Sequence, residues 1–186
     1  MLSRIQGEPL SAARCRLSIH RYLSPSAKIV KTVSDRNAAA DKEWAGPLYL
    51  DASALAKLYL PETGSDELDA AIQGRSDLMV SDLAITEIVS AIARRRREGI
   101  LHPVSCARLH RKILTDIEAG LYIKIDLMPD THREAERLLL AVDNIALRAA
   151  DALHLAQAGL AGAAAIVTYD RKLAEAALKI GLNSLP

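Results

Sequence analysis

Phenylalanine is absent from this chain, aromatic residues make up only 3% of it, and cysteine occurs twice in 186 residues. Each scarcity excludes something. Without large rings the interior must be built by aliphatic packing, and half of the residues are apolar. Ala and Leu dominate that half, and both favour helix. Cys15 and Cys106 lie far apart and match no metal-ligand spacing, so the chain is neither a zinc module nor a disulfide framework. They read as two reduced thiols, the usual state of cysteine in the cytoplasm. Long apolar runs are lacking too. None approaches the ~18 residues of a membrane span, and the N-terminus has no continuous apolar segment of the secretory kind. The expectation is a soluble, cytoplasmic protein without a membrane partner.

A strong charge of either sign is also missing. The formal net charge is +1, which argues against a nucleic-acid binder that relies on bulk charge. The balance hides an asymmetry, however. Residues 1–47 hold 8 Lys/Arg and 4 Asp/Glu, a net of +4, which leaves 16 basic and 19 acidic residues, a net of −3, in the remainder. If the chain handles RNA, it does so through a local basic patch and a bridging metal.

Residues 1–46 sustain neither the helical nor the strand period, and are expected to form an irregular extension. From residue 47 to 186 the pattern is regular and of one-domain length; a domain of about 150 residues buries roughly 68–70% of its unfolded surface. A short apolar run ends at Asp51, and a helical stretch follows from Ser53 to Leu60. Pro61–Gly64 breaks the chain, and a helix capped by Ser65 runs to about Gln73. Asp77–Val80 is a second strand. Leu83–Glu98 is strongly helical, with Ile85, Ile88, Val89 and Ile92 on one face. Pro103 opens a helix to about Ala119, and Tyr122–Leu127 is a third strand. Helices follow over Thr131–Ala141 and about Leu147–Ala158. A fourth strand covers Ala164–Tyr169 and a last helix Arg171–Ile180. Strands separated by helices of this length imply βαβ crossovers and a parallel sheet, hence an α/β fold.

In open parallel sheets, ligands bind outside the carboxyl ends of the strands. Asp51 and Asp170 stand at two such ends, although Asp at a strand-to-helix junction is equally a favoured N-cap. Glu87 lies on a polar stripe with Thr86, Ser90 and Arg94. Asp151 is surrounded by Ala and Leu, and an ionised carboxylate buried there needs a partner. Were all four to converge, their repulsion would be large, since two like charges 4 Å apart repel by roughly 4 kcal/mol at an effective dielectric of 20. Either some pKa values rise or a divalent cation neutralises the group. Oxygen-only ligation suits Mg²⁺ or Mn²⁺ and not zinc. Phosphodiester hydrolysis is the natural chemistry of such a site.

The residues around these acids resemble a known family. Tyr49-Leu-Asp51-Ala-Ser53-Ala-Leu-Ala-Lys57-Leu-Tyr59, followed by Pro61-Glu-Thr-Gly-Ser65, is similar to the opening of PIN-domain proteins, and of VapC-type toxins in particular. Ser81-Asp-Leu-Ala-Ile-Thr-Glu87-Ile resembles the helix carrying the family's second acid. Leu147-Arg-Ala-Ala-Asp151-Ala-Leu-His154 resembles the third-acid segment, and Val167-Thr168-Tyr-Asp170 the element closing the fourth strand. The resemblance spans about residues 48–186. It implies a three-layer α/β/α sandwich around a short parallel sheet and a metal-dependent endoribonuclease. It further implies Mg²⁺ or Mn²⁺ held by Asp51, Asp151, Glu87 and Asp170 as the catalytic set, a homodimer, an RNA substrate and a small inhibitory antitoxin.

Other residues carry two readings. Ser53 and Thr168 either orient the carboxylates or make local hydroxyl-to-backbone bonds, the commoner case. Glu62 reads as a surface turn acid. His154 shares a helix face with Asp151, and reads as a hydrogen-bonded, packed histidine before a general base. Arg94–Arg97 point round most of a helix, either as a solvated helix end or in part as a phosphate-tracking patch. Three rival classes would leave different marks. A phospho-acceptor receiver domain would want an acid pair after the first strand and a late lysine. A non-catalytic PIN-like RNA- or protein-binding module need not keep the acids, and all four are present here. A structure-specific DNA nuclease would carry more acids and extra DNA-gripping elements.

Overall fold

The structure, a computed structural model, describes residues 44–186. The extension expected over residues 1–46 lies outside the described residues except at its last three positions, and Cys15 lies outside them altogether. Among the described residues the elements are β1 (Leu48–Leu50), α1 (Ala52–Tyr59), α2 (Ser65–Ile72), β2 (Leu78–Ser81), α3 (Asp82–Arg97), α4 (Pro103–Glu118), β3 (Ile123–Ile125), α5 (Pro129–Ala141), α6 (Ala149–Leu160), β4 (Ala165–Val167), α7 (Arg171–Lys179) and β5 (Asn183–Leu185). The five strands form one sheet in the order β3-β2-β1-β4-β5, with every pairing parallel.

The strands are short, but nearly every side chain on the three central ones is buried. Alternation explains the layers. Leu48 and Leu50 of β1, Leu78 and Val80 of β2, and Ala165 and Val167 of β4 face one core. That core is closed by Leu55 and Leu58 of α1, Leu68 and Ile72 of α2, Ile88 and Ile92 of α3, and Ile113 of α4. Tyr49, Met79 and Ile166 face the opposite core, with Ala135 and Leu138 of α5, Leu155 and Ala156 of α6, and Leu173 and Ala177 of α7. A sheet with apolar side chains on both faces must be covered on both, and full burial of each Leu or Ile stabilises by about 1.5–3 kcal/mol. The result is the expected α/β/α sandwich. The outer strand β3 is half exposed, with Ile123 at 44%, as an edge allows.

Besides element ends that shift by one or two residues, the structure departs from expectation at two places. The chain adds a fifth strand, β5, after the last helix. Ser65 is the first residue of α2 and not its cap; Gly64 precedes it with φ +88°, a conformation glycine adopts without steric cost. The Ser65 hydroxyl instead accepts the Glu62 backbone N–H at 3.0 Å, closing the turn. At the start of the sheet, Arg75 donates to the carbonyls of Trp44 and Gly46, both at 2.5 Å. Gly46 sits at φ +81°, and a Cβ there would come within 2.6 Å of the Ala164 Cβ. Only glycine fits where the chain enters β1 beside β4.

Candidate active site

The sheet order sets the place. From central β1 the chain moves outward through β2 to β3, then returns to the other side of β1 as β4. The carboxyl ends of β1 and β4 therefore flank the topological switch point, where open α/β sheets bind their ligands. Asp51 follows β1, and Thr168, Tyr169 and Asp170 follow β4.

Asp51 is buried, with 4% of its surface exposed. It caps α1 through Oδ1, which accepts the Ala54 N–H at 2.8 Å. The Ser53 hydroxyl donates to the same carboxylate, 2.7 Å from Oδ1, and Thr168 Oγ1 donates to Oδ2 at 2.7 Å. Burial pushes the Asp51 carboxyl above its ordinary range, opposed by the Ala54 amide, the two hydroxyls and the charge of His154. The donors that reach it, a backbone amide and two hydroxyls, are all neutral. A buried carboxylate held by neutral donors is under-compensated.

Thr168 and Ser53 both orient a carboxylate, the rarer of their two readings. Thr168 bonds Asp51 across the sheet while its oxygen accepts the Asp170 N–H at 3.0 Å. Ser53 accepts the Tyr169 N–H at 2.8 Å. The pair thus stitches the β1 and β4 ends together and brings Asp170 to the same edge as Asp51. Asp170 itself is exposed and caps α7, accepting the Lys172 and Leu173 amides at 2.8 and 3.2 Å.

Glu87, on α3, reaches His154 on α6, with Oε2 2.7 Å from Nε2. His154 is 2% exposed, the packed, hydrogen-bonded histidine that its surroundings suggested. Behind it lies a polar network that the sequence did not announce. The Tyr49 hydroxyl sits 2.8 Å from His154 Nδ1, 2.7 Å from Ser81 Oγ and 3.2 Å from Gln157 Oε1. Burial raises the Tyr49 phenol well above its ordinary pKa, and the charges of Asp51 and Glu87 push it the same way. Asp151, one turn before His154, is half-buried and accepts the Arg148 backbone N–H at 2.9 Å at the start of α6.

The four acids thus fall into two connected sets and one neighbour. Asp51 and Asp170 meet through Thr168, Glu87 is tied to α6 through His154, and Asp151 shares that helix. Among the described residues no three Asp, Glu, His or Cys side chains stand close enough to hold one ion together. Around this edge, Lys57 is almost fully buried. It donates to Glu62 at 2.9 Å and to the Thr63 carbonyl at 2.6 Å, and its ammonium lies 4.3 Å from the centre of the Tyr169 ring. Arg95 also pairs with Glu62, at 3.3 Å, whereas Arg94, Arg96 and Arg97 are exposed. Glu62 is indeed a turn acid, held by two cations.

Residues 48–179 match the family model described as PIN domain. Ribonuclease VapC35 of Mycobacterium tuberculosis is 35% identical over 142 residues, covering 73% of this chain and 93% of that protein. Ribonuclease VapC3 of Pyrobaculum aerophilum is 28% identical over 128 residues, 69% of this chain and 92% of its own. Among solved structures, Mycobacterium tuberculosis VapC20, described as a sarcin-ricin loop cleaving toxin, superposes with a TM-score of 0.54 at 18% identity, covering 69% of this chain and 94% of that one.

Proposed function

Because the chain belongs to the PIN domain family, with VapC-type relatives along most of its length, we propose that it is a divalent-metal-dependent endoribonuclease and the toxin of a toxin–antitoxin pair. The observation that carries the reading is Asp51, a buried carboxylate at the switch point with neutral donors around it. Its chemistry fits a hard cation. Mg²⁺ needs few protein carboxylates, keeps several waters and is completed by substrate phosphate, so a closed cage of three side chains is not required.

Asp51 and Asp151 would hold Mg²⁺ or Mn²⁺, with Glu87 and Asp170 completing the acidic set. When bound, the ion supplies Lewis-acid polarisation of the phosphate and a lowered pKa for water. The chain's own part is positional. Ser53 and Thr168 fix both Asp51 oxygens, and Thr168 holds the Asp170 backbone against the same edge. The Lys57–Tyr169 contact packs α1 against the residue that precedes Asp170. The exposed arginines in the last turn of α3 would offer phosphate contacts to RNA that extends beyond the acidic edge. The nuclease domain comprises residues 47–186, with residues 1–46 as an extension. The enzyme works in the cytoplasm on RNA, as a homodimer, and is restrained by a small antitoxin. Among the described residues no helix is long and apolar enough to cross a membrane.

A second reading is favoured by one observation. Oxygens of Asp51, Asp151 and Asp170 all accept helix-capping backbone bonds, and among the described residues no three ligands stand together. A PIN-like module that binds RNA or protein without cutting would look the same. Cleavage separates the two. Wild type and Asp51→Asn are incubated with a labelled structured RNA pool in Mg²⁺, Mn²⁺ or EDTA. Changes to outer partners of metal sites typically cost 10–100-fold, so loss of a direct ligand should cost more than about 100-fold. Cleavage that survives EDTA, or that Asp51→Asn retains, would refute the metal site. No cleavage of any substrate would favour the binding module.

A further inference from the structure

The Tyr49 hydroxyl has one proton and three polar neighbours, Ser81 Oγ, His154 Nδ1 and Gln157 Oε1. All four residues are at most 2% exposed, so solvent satisfies none of these groups. On the far side of the imidazole, His154 Nε2 faces Glu87 Oε2 at 2.7 Å. At that separation a proton must lie between them, because two lone pairs would repel. Taking Glu87 as the anion that the nuclease reading requires, on which this inference rests, the proton belongs to Nε2.

Two states of the ring then satisfy both of its nitrogens. In the neutral one, Nδ1 accepts the Tyr49 proton and the Ser81 hydroxyl donates to the Tyr49 oxygen. Ser81 can do so because its own oxygen already accepts the Ala84 N–H at 3.1 Å. In the imidazolium, Nδ1–H donates to the Tyr49 oxygen. Both carry the proton on Nε2. The neutral Nδ1–H tautomer fails, since it sets a bare nitrogen against a carboxylate. Gln157 fits the same account: its Nε2 is a buried nitrogen without a partner, and half a turn of the amide would bring it to the Tyr49 oxygen as a donor.

We propose that His154 is a positioning residue, a buried Nε2–H donor that fixes the Glu87 carboxylate while Tyr49 fixes the ring. Glu87 stands on α3 and His154 on α6, one turn after Asp151. The imidazole therefore ties together two helices that each carry an acid of the site. A long, half-exposed Glu side chain would otherwise sample many rotamers, and holding it in one lowers the entropic cost of binding a cation. A leucine of similar bulk would fill the core but would leave Glu87 unrestrained.

The test uses the full chain, free of metal, and reads two quantities. One is the protonation of the imidazole nitrogens, from ¹⁵N spectra. The other is affinity for Mn²⁺, by calorimetry, in wild type, His154→Leu, His154→Gln and His154→Asn, each checked for folding by circular dichroism. The expectation is a protonated Nε2, about tenfold weaker Mn²⁺ binding in His154→Leu, and substantial recovery in His154→Gln, whose amide nitrogen reaches the place of Nε2. His154→Asn, which mimics the other nitrogen, should bind as weakly as His154→Leu. A bare Nε2, or a folded His154→Leu with wild-type affinity, would overturn the proposal. If His154→Leu does not fold, equal affinities of the Gln and Asn variants would overturn it instead. If wild type binds no Mn²⁺, the nuclease reading fails and the spectrum decides alone. An Nε2–H signal that moves in Glu87→Gln then supports the tether, and an unmoved one refutes it.

Discussion

At the scale of single residues, the site is defined by a carboxylate kept where water cannot reach it. Burial raises the Asp51 carboxyl above its unfolded value, so in the metal-free protein the folded state binds the Asp51 proton more tightly than the unfolded chain does. Stability from this group is therefore present in acid and lost as pH rises from the unfolded value, near 3.9, through the folded one. At neutral pH Asp51 works against the fold. Asp51→Asn keeps an oxygen for the Ala54 amide and removes the charge, so it should raise Tm at neutral pH, by roughly 2–4 °C for each kcal/mol recovered. The advantage should vanish in acid, and activity should be lost throughout. Thermal melts of both proteins across pH, in EDTA, measure this. A variant less stable than wild type at neutral pH would mean that the hydroxyls of Ser53 and Thr168 compensate the charge fully. Stability exchanged for function at one residue is what a metal site implies.

At the scale of elements, the turn between α1 and α2 is held by one side chain. Lys57 is 8% exposed, and its ammonium meets Glu62, the Thr63 carbonyl and the Tyr169 ring. Replacing it with Met keeps the stem and forfeits these interactions. Hydrogen bonds to a charged group are worth about 1.5–3 kcal/mol each, and relief from desolvating the amine offsets part of that. Lys57→Met should therefore destabilise by about 1–2 kcal/mol. Glu62→Ala should cost less than about 1 kcal/mol, because Glu62 faces solvent, unless Lys57 depends on it for its charge. Urea denaturation of both variants ranks the two. Glu62→Ala costing more would show that the buried amine, and not the turn, is the weak point. Elements of this kind were legible wherever apolar period and punctuation agreed. The long helix α3 ends within about a residue of where Gly99 places its end, and α4 opens at Pro103. β5 was not legible, since Asn183-Ser184-Leu185 carries one apolar residue and no alternation; it exists because β4 offers it an edge. Asp51 and Asp170 could be read as strand-end acids. Thr168 could be named as a residue that orients a carboxylate, but its partner Asp51, 117 positions away, could not, and neither could Tyr49 turning its hydroxyl towards α6. Only the sheet order brings such partners together.

At the scale of the whole molecule, charge is divided along the chain in a way the net value conceals. Residues 1–43 contain 8 Lys/Arg and 4 Asp/Glu, and the remainder is acidic by three charges. The match to the PIN domain model begins at residue 48, so a chain that begins at residue 44 should keep its fold and its Tm within a few degrees. RNA affinity should behave otherwise. Each phosphate neutralised by a cation contributes about −0.7 to the slope of log K against log salt for a single strand. If residues 1–43 hold phosphates, the shortened chain should bind RNA more weakly at low salt, with a slope shallower by about 0.7 for every phosphate it no longer neutralises. Its cleavage at saturating RNA should be unchanged, because the acids all lie beyond residue 50. If both chains give the same slope, phosphate binding belongs to the folded domain, and the exposed Arg94, Arg96 and Arg97 become the residues to neutralise next. Filter binding of one labelled RNA across a salt series, with saturating cleavage measured in parallel, separates attachment from chemistry: the first should follow the basic segment, and the second only the acids at the carboxyl edge of the sheet.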